Sequence, residues 1–310
     1  LIFPRSTLQI LTYTVISPLL KVENLTTYFN ITSGILGKTT HILPAVDDVS
    51  FGIDSSQTLS LVGESGCGKS TVARSILRLI PPKSGKILFK GVDVLNASNT
   101  EMFSVRANMQ MIFQDPFSSL DPRMSVANAI AEPLRTHKIC NRNEVADRVN
   151  ELLVRVGLLP EHGKRFPHEF SGGQRQRICI ARALGPKPAL IIADEAISSL
   201  DVTIQAQIIN LLMDLQDEYG ISYLFISHDM AVVERISHIV AIMYLGKIVE
   251  IGSRAQVFEN PKHSYTLKLL NSVPIPDPTV KKEREKIPFE EIPPRVKEAD
   301  FVSDSSKMLE

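Results

Sequence analysis

Cysteine is scarce in this sequence: Cys67, Cys140 and Cys179 are the three in 310 residues. They are far apart and odd in number, which argues against a disulfide framework or a four-cysteine metal site and fits a reducing compartment. Net charge is missing as well. The 34 basic and 34 acidic residues cancel, so no global field draws the chain to nucleic acid or anionic lipid. No run of 18 apolar residues occurs, which excludes a membrane-spanning helix. The most apolar opening stretch, "LIFPRSTLQILTYTVISPLL", is broken by Pro4, Arg5, Gln9 and several threonines, and no clean small-residue cleavage site comes after it. It reads as an extension leading into the first strand, with a targeting or membrane-surface segment as the alternative. What remains, 44% hydrophobic and 22% charged, has the profile of a chain with a sizeable core, enough for one large domain with additions or two ordinary ones.

Strand-like and helix-like segments alternate. "PLLKVENLTTYF" and "AVDDVSFGI" alternate apolar and polar residues, as half-buried antiparallel strands do. "TLSLVG" is a short apolar strand running into glycines and then a helix, "STVARSILRLI", expected to stop at Pro81 and Pro82. "KILFKGVDV" suits a β-segment with a glycine turn. In "NEVADRVNELLVRVG", Val145, Val149, Leu152, Leu153 and Val156 share one helical face and Gly157 suits the C-terminal cap. The continuous apolar runs "ALIIA" and "YLFIS" suit parallel strands buried on both faces. Residues 115–185 read as mostly helical, an insertion into an α/β core. "AIMYLGKIVEIG" predicts a hairpin turning at Gly246-Lys247, and from Pro274 recurring prolines and the run "KKEREK" predict an extended tail.

"GESGCGKS", residues 63–70, matches G-x-x-x-x-G-K-[ST] between a strand and a helix. Glycines let the backbone curl so that N–H groups converge on phosphate oxygens, and the helix adds its positive end. The loop residues Gly63, Glu64, Ser65, Gly66, Cys67 and Gly68 would wrap the phosphates, Lys69 would neutralise the β- and γ-phosphates, Ser70 would ligate Mg²⁺, and Thr71 would reach the α-phosphate. Cys67 reads as a small residue that fits, the alternative being a redox-sensitive thiol. In "LIIADE" an apolar strand ends in two carboxylates whose burial unpaired would be costly. After a phosphate-binding loop, Asp194 is placed to hold Mg²⁺ and Glu195 to orient the attacking water. A second glycine-rich helix start, Ser171, Gly172, Gly173 and Gln174 in "FSGGQRQR", offers another anion grip, one that could serve the nucleotide of another copy.

Together "GESGCGKST", "MIFQDPFSSLDP", "FSGGQRQR", "IIADE", "SSLD" and "FISHD", in that order, resemble the ABC-transporter ATPase family over residues 19–253. The resemblance implies an α/β fold, a P-loop NTPase core in which a mixed sheet adjoins an antiparallel β subdomain, with a helical signature subdomain at about 115–185. Residues 1–18 would be an N-terminal extension and 254–310 a C-terminal one. It implies Gln114 as the Q-loop residue, contacting metal and water, and Ser171, Gly172, Gly173 and Gln174 as the signature capping the opposite subunit's ATP. Asp201 would be the D-loop residue, His228 the switch at the γ-phosphate, and Phe29, before Tyr28, the adenine-stacking ring. "HEFSGGQRQR", "MYLGKIVEIG" and "HSYTLKLLNSVPIPDP" resemble the oligopeptide/dipeptide importer branch, and the long segment from Phe29 to Ala45 its second ATPase type. No cysteine comes after Cys179, so the cysteine-containing stretch of some relatives is not carried over.

The implied protein is an ATPase using ATP and Mg²⁺ at the cytoplasmic face of the cell membrane, paired head-to-tail with a second ATPase subunit, a heterodimer before a homodimer. Its further partners would be two transmembrane permease subunits and, indirectly, an extracytoplasmic binding protein; nucleic acid is not expected. Nickel or oligosaccharide import, a regulatory cassette with weak hydrolysis, and a soluble ABC ATPase are the alternatives. No heptad run or cysteine pair separates Lys69 from Ser171, as repair-type members require. Phe117 and Leu120 are expected to dock the membrane subunits. One departure stands out: Ala196-Ile197 replaces the family's usual Pro-Thr, and Ser199 its alanine, which bears on turnover rather than ATP binding.

Overall fold

The computed structural model describes residues 17–33, 38–272 and 297–298. Most of segment 1–18 and of the tail after residue 272 therefore lies outside the described residues.

The two alternating stretches become β1 (Leu20–Ser33) and β2 (Lys38–Ile53), antiparallel with Leu20 opposite Ile53. Leu20 and Val22 point inward, and irregular register lets Leu25 and Thr27 resume the buried face. Next come β3 (Thr58–Val62), α1 (Lys69–Ile76), β4 (Ser84–Phe89) and β5 (Val92–Asp93). Helix α1 stops short of Pro81, contrary to the sequence expectation. Arg78 adopts φ 52 and its guanidinium donates to the carbonyls of Val94 and Ala97 at 3.2 and 2.7 Å. That tertiary grip ends the helix before the prolines act.

Further along are α2 (Asn99–Asn108), β6 (Met109–Ile112), α3 (Val126–Thr136), α4 (Val145–Arg155) and α5 (Gly172–Leu184). The α4 face predicted from periodicity is buried, and Gly157 takes φ 76 just past it. The rest comprises β7 (Leu190–Asp194), α6 (Val202–Tyr219), β8 (Ser222–Ser227), α7 (Met230–Ile236), β9 (Ile239–Tyr244), β10 (Lys247–Ser253), α8 (Arg254–Glu259), α9 (Ser264–Ser272) and β11 (Lys297–Glu298). The β9–β10 turn is Leu245-Gly246, one residue earlier than predicted, because both take positive φ (48 and 87).

Two sheets result. One is antiparallel, ordered β11-β2-β1-β4-β5; the other is mixed, ordered β10-β9-β3-β8-β7-β6, with only β10 antiparallel. Strands β7 and β8 are buried throughout, and their alternate residues serve different cores. Leu190, Ile192, Leu224 and Ile226 face α1 and the antiparallel sheet. Ile191, Ala193, Tyr223 and Phe225 face the α3–α5 unit and α6. Along β7 both faces meet apolar cores, and the first polar residue is Asp194 at its end.

The segment after β10 is anchored by one carboxylate. Glu250 accepts hydrogen bonds from the amides of Lys262 (2.8 Å) and His263 (3.0 Å) and the Thr266 hydroxyl (2.5 Å). Burial pushes the Glu250 carboxyl up, but these hydrogen bonds outweigh it and hold it below its ordinary value of 4.5. A carboxyl lowered on folding contributes stability that is present above 4.5 and is lost as the pH falls through the lower folded value. Amide-exchange protection in residues 264–272 should therefore fall on acidification below that range. In Glu250→Gln, that protection should be weaker at neutral pH and lose this pH dependence.

Candidate functional site

Strands β3, β8, β7 and β6 are adjacent and parallel, so the residues just past their carboxyl ends meet along one edge. These residues are the loop 63–68 after β3, His228 after β8, Glu195 after β7 and Gln114 after β6. Ligands of open parallel sheets bind at this carboxyl edge.

The loop's shape is enforced by contact from behind. Gly68 has φ 111, and a Cβ there would lie 2.1 Å from the Ala45 carbonyl oxygen. The turn glycine Gly246 donates its N–H to the Cys67 carbonyl at 3.0 Å. Lys69, 3% exposed, donates from Nζ to the carbonyls of Gly63 (2.7 Å) and Glu64 (3.0 Å). Ser70 Oγ donates to Asp194 Oδ1 at 2.7 Å. Asp194 is 1% exposed. Burial raises its carboxyl above the ordinary aspartate value and Glu195 adds to this, against the lowering by the Ser70 hydrogen bond, Arg74 and Lys69.

Glu195 sits in the left-handed region, φ 47, a conformation that costs about 1–3 kcal/mol for such a residue. It is held there by its amide on the Ile226 carbonyl (3.0 Å) and by Ser198 Oγ on its own carbonyl (3.0 Å). Its Oε2 accepts from Gln114 Nε2 at 2.8 Å, while Oε1 lies 3.9 Å from Lys69 Nζ and 3.8 Å from His228 Nδ1. Ala196 and Ile197 are both buried in the core beside the α3–α5 unit, so the unusual pair fills space rather than facing solvent.

A cavity of about 320 Å³ opens here, walled by Phe29, Leu43 and Ala45, floored by Ser65, Gly66 and Gly68 to Thr71, and closed by Gln114 and Glu195. Phe29 is the ring that lines it; Tyr28 instead carries the Lys83 ammonium 5.2 Å from its ring centre. Gly63, Glu64 and Cys67 contribute backbone and packing from behind, and the Cys67 side chain is buried. Leu43 and Ala45 carry no signal in the sequence; β2 delivers them from outside every motif.

Ser171, Gly172, Gly173, Gln174 and Asp201 do not line this cavity. Ser171 caps α5, its Oγ accepting from the Gln174 amide (3.3 Å) while Gln174 Oε1 accepts from the Ser171 amide (3.1 Å). A Cβ on Gly173 would lie 2.5 Å from Ile204 Cγ2, so α5 packs tightly on α6. Asp201 caps α6 by accepting from the Ile204 amide at 3.0 Å. The segment after Gln114 is also tied to α5. The Arg175 guanidinium lies 3.7 Å from the Phe117 ring centre, and Arg182 donates to the Ser119 carbonyl at 2.6 Å. Phe117 is 65% exposed, but Leu120 is buried at 2% and cannot dock anything.

The Ser70 hydroxyl, Asp194 carboxylate and Gln114 amide form a hard oxygen set suited to Mg²⁺ shared with phosphates. Burial disfavours the charged form of Asp194, and a bound cation would offset that. Among the described residues no cluster of three or more His, Cys, Asp or Glu offers an alternative cage.

A phosphate-loop cavity on the parallel sheet and a second glycine-opened helix set apart from it are the architecture of an ATP-binding cassette. Residues 46–198 match the ABC transporter family, to which the chain belongs. Residues 249–299 match the oligopeptide/dipeptide transporter C-terminal region, which places the chain in that branch. The glutathione import ATP-binding protein GsiA of Pectobacterium atrosepticum is 55% identical over 276 residues, covering 89% of this chain and 44% of that protein. GsiA of Escherichia coli K12 is 55% identical over 279 residues, covering 90% and 45%. The chain thus spans less than half the length of these relatives. Among solved structures, cbiO1 of Clostridium perfringens, part of the ABC transporter complex cbiONQ, superimposes with TM-score 0.67 at 28% identity over 79% of this chain and 92% of its own. The cassette MJ0796, a dimer in a post-hydrolysis state with ADP and Pi, gives 0.66 at 25% identity over 76% and 98%.

Substituting Gly68→Ala should weaken ATP binding at least about tenfold, since both the left-handed backbone and the Ala45 carbonyl oppose a Cβ. Titration with a fluorescent ATP analogue measures it; unchanged affinity would show that the loop adapts.

Proposed function

We propose that this chain is the ATP-hydrolysing subunit of an ABC importer that takes up oligopeptides or dipeptides. The observation that carries the reading is the Glu195 carboxylate, held between Gln114, Lys69 and His228 at the end of the phosphate-loop cavity. In this reading residues 19–253 are the ATPase domain and residues 254–310 a branch-specific extension. The similarity to glutathione importers, whose cargo is a small peptide, supports the substrate class.

ATP would enter with its base against Phe29 and its phosphates on the amides of residues 65–71. Lys69 would move from the Gly63 and Glu64 carbonyls onto the β- and γ-phosphates. Mg²⁺ would be held by Ser70, Asp194 and Gln114, and when bound supplies charge neutralisation at the transferring phosphoryl group. Glu195 would orient and polarise the attacking water, and His228, half-exposed beside it, would contact the γ-phosphate. Ser171 to Gln174 lie outside the cavity, so they serve the nucleotide of a second ATPase subunit packed head-to-tail, with Asp201 at that interface. Positioning is the main demand of phosphoryl transfer, and a split site makes it depend on closure.

Two transmembrane permease subunits, served by an extracytoplasmic binding protein, would complete the assembly at the cytoplasmic face of the membrane. Among the described residues no helix is long and apolar enough to cross a membrane. Exposed Phe117, beside Gln114, is the contact chosen for the permease.

Glu195→Gln should lower the turnover number by about 10²–10⁴, the range of a positioned general base, while ATP binding persists and ATP-bound dimers accumulate in size-exclusion chromatography. Wild-type turnover in that variant would remove Glu195 from the mechanism. Phe117→Asp should leave ATP hydrolysis within about twofold, as expected for an exposed position. It should also abolish uptake of labelled dipeptide by reconstituted transporter; intact uptake would move the docking site elsewhere.

A further inference from the structure

The C-terminal extension reaches back to the nucleotide loop. Tyr265, in the first turn of α9, is 6% exposed, and its hydroxyl oxygen accepts the backbone N–H of Glu64 at 3.0 Å. On the other side of the same peptide, the Gly63 carbonyl accepts Lys69 Nζ at 2.7 Å. The Gly63–Glu64 peptide is therefore held at both its polar ends, by a phenol from residue 265 and by the lysine that serves the phosphates.

The phenol is itself fixed. Its ring packs on Tyr244 with centroids 4.2 Å apart, at the end of the strand that leads into the Leu245-Gly246 turn. That turn holds the loop a second time, through the Gly246 amide on the Cys67 carbonyl. Helix α9 is anchored by Glu250 through the amides of Lys262 and His263 and the Thr266 hydroxyl. Burial pushes the Tyr265 hydroxyl up to about 12, so the contact is between neutral groups across the physiological range.

We propose that Tyr265 is a positioning residue for the nucleotide site, and that its hydroxyl sets the loop geometry by fixing the Gly63–Glu64 peptide. Displacement of α9 then frees that peptide, alters the resting place of Lys69 and weakens nucleotide binding. The extension acts as a lever on the loop without touching the nucleotide. This inference rests on the ATP-binding reading above and adds a control point to it.

Tyr265→Phe keeps the ring on Tyr244 and removes only the oxygen. Its ATP dissociation constant should rise about three- to tenfold, the scale of one neutral hydrogen bond. Amide-exchange protection at Glu64 should drop in the nucleotide-free protein, with a smaller fall in the thermal midpoint than Tyr265→Leu causes. Tyr265→Leu, which removes the ring as well, should add little further loss of affinity. Wild-type affinity and wild-type Glu64 protection in Tyr265→Phe would overturn the inference, as would a loss of affinity confined to Tyr265→Leu, which assigns the residue to packing alone. Absence of ATP binding in the wild-type chain would instead bring down the underlying reading, and this inference with it.

Discussion

A carboxylate at the end of a strand buried on both faces needs something to carry its charge. That constraint, at Asp194 and Glu195, organises the rest of the molecule. Lys69 and Ser70 come to the pair because the glycine loop ends in the first turn of α1 directly beneath it. Gln114 and His228 come because their strands, β6 and β8, flank β7 in parallel. The solutions for the two acids differ. Asp194 is enclosed and shares a hydrogen with Ser70, while Glu195 is rotated by its left-handed backbone so that its carboxylate faces the cavity.

The two apolar cores explain why the acids can be adjacent yet unlike. Alternation along β7 sends Ile191 and Ala193 to one core and Leu190 and Ile192 to the other. Asp194 continues that alternation and so stays beneath the loop. The backbone turns at Glu195, and Ala196 and Ile197 re-enter the core on the helical side. The departure from the family's usual pair thus replaces a hydroxyl with packing at the point where the chain leaves the catalytic edge.

Much of this is legible in the sequence. The loop 63–71 is readable because phosphate chemistry demands glycines, a lysine and a hydroxyl at fixed spacing, and β7 and β8 because two buried faces leave an unbroken apolar run. The end of α1 is not, because Arg78 reaches carbonyls on a distant segment. The β9–β10 turn falls one residue before its expected place, since Leu245 takes a positive φ that its side chain does not advertise. Leu120 is expected from the sequence to dock the membrane subunits with Phe117, but the packing of the helical unit encloses it. The approach of Tyr265 to Glu64 is hidden for the same reason: "HSYT" marks the extension, and nothing local in it names the residue it meets.

The ties between α5 and the segment after Gln114 have a mechanical meaning. Arg175 on Phe117 and Arg182 on Ser119 bolt residues 117–119 to the helix that begins at Ser171. Exposed Phe117 and the helix start at Ser171 are therefore parts of one packed unit. The short stretch joining this unit to β6 carries Gln114, whose side chain donates to Glu195. A partner that displaced residues 117–119 would pull on that hydrogen bond, and so would reach the Glu195 carboxylate without entering the cavity.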